Sequence, residues 1–256
     1  MKKHLSVFGL FARSSIYRVL VVMLFMGIAE AGLFWHGLQE TLADYNNLKG
    51  MEAFEKVADV LHFEEIIDKN HISWCFAAAF ILITFFICLP GTEYQSKTGY
   101  TLRRLSVSEK SILLIQAIYN MAVYFILLAV QVLICFEFYS LYTSQIPAEF
   151  VGNQTIFLAF YRSDFLHSIL PLSEIWLWIR NAFLVVGLGF AAAEFPYRQR
   201  RKGYGAAVIV LGVYTVLNFK TEIGSIGGIV FAMCVMAIYA GNVIYNVFCK
   251  EEPDEN

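Results

Sequence analysis

The sequence predicts an all-α integral membrane protein with six transmembrane helices, and three observations carry that prediction. Hydrophobic residues make up 58% of the chain and charged residues only 16%, against roughly 45–50% and about 25% in ordinary soluble domains. The apolar residues fall in runs near the roughly 20 residues needed to cross a bilayer as a helix. The basic residues are segregated between those runs. A water-soluble protein of 256 residues has too little interior to hide this much apolar side chain; a bilayer supplies the missing apolar surroundings.

The expected spans are 17–38, 72–90, 112–142, 175–195, 204–219 and 226–248, within a single transmembrane domain over 1–250. A short acidic tail follows at 251–256. The third run is long, so Glu137–Tyr142 are expected to emerge at the outer interface. The fifth is short and is expected to join the sixth through a re-entrant segment around Thr221–Gly228, which needs protein or water to satisfy its backbone.

Orientation follows from the loop charges, because cytoplasmic loops carry the excess of Lys and Arg. Thirteen basic residues fall on the side of the termini and of the 91–110 and 196–203 loops. Five (Lys49, Lys56, Lys69, Arg162 and Lys220) fall on the other, and Arg180 lies inside a span. Both termini are therefore expected in the cytoplasm, with the chain in the plasma (cytoplasmic) membrane of a bacterium. Val19–Gly27 followed by Ala29-Glu30-Ala31 also has the pattern of a cleavable signal. The apolar run continues through Leu33, Phe34 and Trp35, which argues for a retained span.

Between the spans, Leu5, Phe8, Ala12 and Ile16 recur at helical spacing and predict an N-terminal interfacial helix over His4–Tyr17. The first outer segment, Gln39–His71, carries eight acidic residues against three lysines. Leu38, Leu42, Tyr45, Phe54, Val57 and Leu61 recur there at near-helical intervals, predicting one or two amphipathic outer helices. The second outer segment, Thr143–Ser173, holds an aromatic stretch, Ile156–Ile169, that suits an interfacial helix. It also holds an Asn153-Gln154-Thr155 glycosylation sequon of the kind common by chance. The five cysteines form no C-x-x-C pair, so neither a disulfide framework nor a metal site is expected.

No catalytic signature is present. The chain lacks G-x-x-x-x-G-K-[ST], G-x-S-x-G, H-E-x-x-H and G-x-G-x-x-G, so it is expected not to be an enzyme and to bind no cofactor itself. Glu64-Glu65-Ile66-Ile67-Asp68-Lys69 is similar to the E-E-x-x-x-R motif of membrane-embedded prenyl-protein proteases, but it ends in Lys and lies in an outer segment. His36, His62, His71 and His167 share that side, with no pair at i, i+4 spacing.

Ionisable residues inside spans are functional candidates by default. Glu30, Glu137 and Arg180 form the expected intramembrane charge cluster, with Arg180 pairing with Glu30 or Glu137. Gln116, Asn120 and Gln131 on the third span suit interhelical hydrogen bonds. Gly187 and Gly189 suit close helix packing, and Gly224 and Gly228 have the G-x-x-x-G spacing of helix contacts.

Two loops on the basic side stand out. The first contains Gly99-Tyr100-Thr101-Leu102-Arg103-Arg104-Leu105-Ser106-Val107-Ser108, with Ser106 and Glu109 at capping-box spacing. The second, Glu194–Lys202, is compact and basic, and includes Tyr197 and Arg198. With Glu93 upstream and a long span downstream, the first loop resembles the membrane subunit of type-2 ABC exporters. Tyr100 is inserted between Gly99 and Thr101, and Ser106 stands where that family commonly has proline.

The resemblance implies an export permease without its own ATPase. Two copies, or two related subunits, would form the pathway, with separate ABC ATPase subunits docked beneath and ATP and Mg held there. Thr101, Leu102, Arg103, Arg104, Leu105 and Ser106, with Tyr197 and Arg198 of the second loop, would form the ATPase-coupling surface. Membrane lipid is the other expected partner, and nucleic acid is not. The remaining readings are a sensor or immunity subunit whose acidic outer helices bind a ligand without transporting it, and an intramembrane enzyme.

Overall fold

The computed structural model describes residues 2–48, 61–90, 92, 108–147, 151–152, 154–200, 205–220 and 226–248. Most of the described residues are helical, with no strand among them. In chain order the helices are α1 (Lys2–Leu48), α2 (Phe63–Lys69), α3 (Ile72–Cys88), α4 (Glu109–Gln145), α5 (Thr155–Arg162), α6 (Asp164–Ile169), α7 (Ile175–Arg200), α8 (Ala207–Lys220) and α9 (Ile226–Phe248).

Among the described residues four helices (α1, α4, α7 and α9) are long and apolar enough to cross a membrane, and α2 with α3 makes a fifth if that bent pair is one span. This is the architecture of a multi-pass membrane protein. The sixth apolar element, α8, has 14 residues. At 1.5 Å per residue it reaches about 21 Å, short of a roughly 30 Å hydrocarbon core.

The N-terminal region differs from expectation. No break separates an interfacial helix from the first span, because α1 is one 47-residue helix, about 70 Å long. A continuous buried stripe explains its persistence: Val7, Phe11, Ser15, Val19, Met23, Met26, Glu30, Phe34, Leu38 and Thr41 are all covered. These positions recur every three or four residues, so one face stays docked along the whole length. The opposite face carries Leu20, Leu24, Phe25 and Ile28, each more than half exposed, as suits contact with lipid. The first helix of the acidic outer segment is thus the end of α1 itself, and α2 supplies another.

α1 and α4 run parallel. Ser15 meets Tyr119, Glu30 meets Gln131, and Phe34 stacks on Phe138 with ring centroids 4.6 Å apart. Nineteen residues separate Ser15 from Phe34, and nineteen separate Tyr119 from Phe138. The two helices therefore keep register over about 28 Å, close to the thickness of a bilayer core. α4 opens at Ser108, whose side chain accepts from the Ser111 N–H at 3.3 Å. The cap is thus two residues beyond the Ser106 that the capping-box spacing suggested.

α2 and α3 meet at a 56° bend. His71 sits there with φ 57, a left-handed conformation that lets the chain turn within one residue. The aromatic stretch over Ile156–Ile169 is two short helices, broken at Ser163, whose side chain caps α6 through the Leu166 N–H. The end of α3 and the start of α4 lie at the same end of the bundle as the end of α7 and the start of α8, termed the loop end below. α2, α5 and α6 pack at the far end.

Candidate functional site

Among the described residues a buried polar seam runs through the bundle, and an apolar and a polar cavity lie at its opposite ends. The seam begins at Ser15, which donates to the Phe11 carbonyl at 2.9 Å and pairs with the Tyr119 hydroxyl at 2.7 Å. Deeper, Glu30 is fully buried, and its Oε2 accepts from Gln131 Nε2 at 2.9 Å. Asn120 donates to the Gly189 carbonyl of α7 at 3.4 Å, and Gln116 to the Pro90 carbonyl at 3.4 Å. The Tyr124 hydroxyl donates to Thr84 at 3.0 Å. The polar residues of α4 thus fasten it to α1, α3 and α7, which fits interhelical hydrogen bonding.

Glycine governs how closely α7 approaches its neighbours. A β-carbon at Gly189 would come within 2.6 Å of Met121 Cγ on α4, and one at Gly187 would overlap Met236 on α9. Bulkier residues at either position would push the helices apart.

The expected charge cluster does not assemble as an ion pair. Arg180, fully buried, donates from Nε and an Nη to Asn181 Oδ1 at 3.2 and 3.0 Å. Asn181 in turn donates to the Ser168 carbonyl at 2.7 Å, tying α7 to α6. Among the described residues no salt bridge joins Arg180 to Glu30 or to Glu137. The reason is helical phase. Phe138 faces α1, and Glu137, one residue earlier and about 100° around the helix, is exposed.

The second basic loop is largely helix. α7 continues through Arg200 with Pro196 inside it, so Tyr197 repeats the face of Phe190 and Ala193. Tyr197 belongs to a buried cluster with Leu113, Ala117, Ala240 and Val243. Arg198 Nε donates to Glu194 Oε1 at 2.7 Å, and the Tyr239 hydroxyl donates to Glu194 Oε2. Thr101, Leu102, Arg103, Arg104, Leu105 and Ser106 lie outside the described residues, as do Thr221–Ser225 and the acidic tail.

The first cavity, about 690 Å³, lies at the loop end between α3, α7 and α8. Thr84, Phe85, Cys88 and Leu89 line one side, Phe195 and Gln199 a second, and Ile209, Gly212 and Val213 a third. Among the described residues no charged side chain lines it, and its hydroxyls are engaged within the protein: Thr84 donates to the Phe80 carbonyl at 2.8 Å and Thr92 to the Leu89 carbonyl at 2.7 Å. Size and lining match an apolar ligand pocket.

The second cavity, about 600 Å³ at the far end, is polar and lined by His62, Glu64, Glu65, Asp68, Lys69 and Arg162. Arg162 pairs with the buried Glu64 at 3.2 Å, and Ser163 Oγ donates to Asp68 Oδ1 at 2.9 Å. Burial pushes the Asp68 carboxyl above its ordinary range, against the opposing Ser163 hydrogen bond; Asp164, Glu64 and Glu65 push the same way. Among the described residues no group of three His, Cys, Asp or Glu side chains is arranged to hold a metal. His167 is buried, with Nδ1 3.2 Å from the Phe160 carbonyl.

No protein-family model matches the chain, and no curated protein or solved structure matches it either. The likeness to type-2 ABC exporters rests on the sequence alone, on the loop residues and on the expected order of spans and loops.

Proposed function

We propose that the chain is the membrane-spanning permease subunit of an ATP-driven exporter, coupled through its loop end to separate ATPase subunits that hold ATP and Mg. In this reading the bundle has six spans, with α3 as the second crossing, α2 in the outer segment that precedes it, and α8 as a short crossing. Both termini and both basic loops lie in the cytoplasm, and a second permease copy or a related subunit completes the pathway. Mismatch at α8 is met by local bilayer thinning or by that partner.

The observation that best supports the reading is the position of the apolar cavity. It opens between the ends of α3 and α7, where Leu89 and Thr92 lead into the first loop and Phe195 and Gln199 precede the second. A partner that moved those loops would act directly on the cavity walls. The uncharged lining suits an apolar or amphipathic substrate.

Gly212 provides the test, because a side chain there enters open space. ATP-driven uptake of an apolar fluorescent dye into inverted membrane vesicles should occur with the native chain. Gly212→Phe should abolish it while the chain still assembles. Uptake that ignores the substitution, or its absence with the native chain, contradicts the proposal. The polar cavity at the far end favours one second reading, a sensor subunit that binds a ligand there without moving it.

A further inference from the structure

Glu30 and Gln131 are both fully buried, at the interface of two of the longest apolar helices. Only one hydrogen bond joins them, from Gln131 Nε2 to Glu30 Oε2. The remaining oxygen of each, Glu30 Oε1 and Gln131 Oε1, is buried and has no partner. Two acceptors left over on one contacting pair is an unusual deficit, since buried polar atoms nearly always find partners.

Among the described residues no salt bridge reaches Glu30. The thiols of Cys75 on α3 and Cys135 on α4 lie within electrostatic reach of it, and neither is a cation. Gln131 Nε2 also lies 3.9 Å from Cys135 Sγ, so the sulfur competes for the amide's second proton. An ionised carboxylate is acceptor-only and would sit here with a single donor. A protonated acid has an O–H to give.

We propose that Glu30 is a proton-binding site: it is held as a neutral carboxylic acid, paired with the Gln131 amide through two reciprocal hydrogen bonds. The proton sits on Glu30 Oε1 and is donated to Gln131 Oε1, while Gln131 Nε2 continues to donate to Glu30 Oε2. One proton satisfies both orphaned oxygens and removes an uncompensated charge from the α1–α4 interface. Its loss would leave a bare carboxylate between the helices, so their contact depends on its occupancy. This inference is independent of whether the protein exports anything.

Infrared difference spectroscopy of the purified chain in lipid vesicles at neutral pH tests it. Subtracting the Glu30→Gln spectrum should show loss of one protonated-carboxyl C=O stretch and no loss of carboxylate bands. Gln131→Met keeps the acid but removes its donor, and should shift that stretch to higher frequency. The second variant decides the matter should the first fail to fold. Loss of carboxylate bands in Glu30→Gln, or an unchanged acid-carbonyl region in Gln131→Met, would overturn the proposal.

Discussion

The Asn70 amide lies against the backbone of Gly37, closer than any β-carbon on α1 would permit. Asn70 is not free to swing away, because its Nδ2 donates to the Ile66 carbonyl at 2.7 Å. This contact fixes where the bend between α2 and α3 meets α1. Gly37→Ala should therefore destabilise the protein by about 1–3 kcal/mol, the usual cost of overpacking. Thermal unfolding in detergent measures it. Gly32→Ala, on the same helix with nothing within 4 Å, is the control and should be neutral or slightly stabilising. Equal effects at the two sites would show that helix propensity matters there and the contact does not.

Glu194 is buried, and its two oxygens accept from Arg198 and from Tyr239. Arg198→Ala removes a charged donor from a covered carboxylate. It should lower stability by about 1.5–3 kcal/mol, toward the low end because Arg198 is partly exposed. Tyr239→Phe should cost roughly 0.5–1.5 kcal/mol. Chemical unfolding of both variants and of the double variant measures the coupling. Full additivity would mean that the two donors hold Glu194 independently.

Asp68 makes stability depend on pH in a stated direction. Its carboxyl titrates higher in the folded chain than when unfolded, chiefly through burial. The stability it contributes is complete below the unfolded value and falls as pH rises through the folded one. Asp68→Asn keeps an acceptor for Ser163 but cannot ionise. Unfolding temperatures measured across the acid range should fall less steeply with rising pH in the variant. An identical slope in the two proteins would contradict this account.

The helical class was legible because apolar runs of membrane length leave few alternatives: each expected span falls on a helix, and among the described residues α1, α4, α7 and α9 are long and apolar enough to cross a membrane. The reach of α1 was not. An interfacial helix over His4–Tyr17 was expected to end before the first span, yet the buried stripe from Val7 to Thr41 carries one helix through both. The partner of Glu30 was hidden for a different reason. Matching opposite charges pointed to Arg180, whereas the residue that meets Glu30 is Gln131, a neutral amide 101 positions away. Neither composition nor spacing marks an amide as the partner of an acid. The segment read as the second loop is helical through Arg200, and Tyr197 packs in a buried cluster there, which the charge run alone does not show.

The exporter reading is tested most directly by what leaves the membrane with this protein. The tagged chain, extracted in mild detergent, should bring a P-loop ATPase with it, and reversing both Arg103 and Arg104 to Glu should release that ATPase while the chain stays folded. A chain that purifies alone, or an ATPase that remains bound after both reversals, would contradict coupling through the first loop.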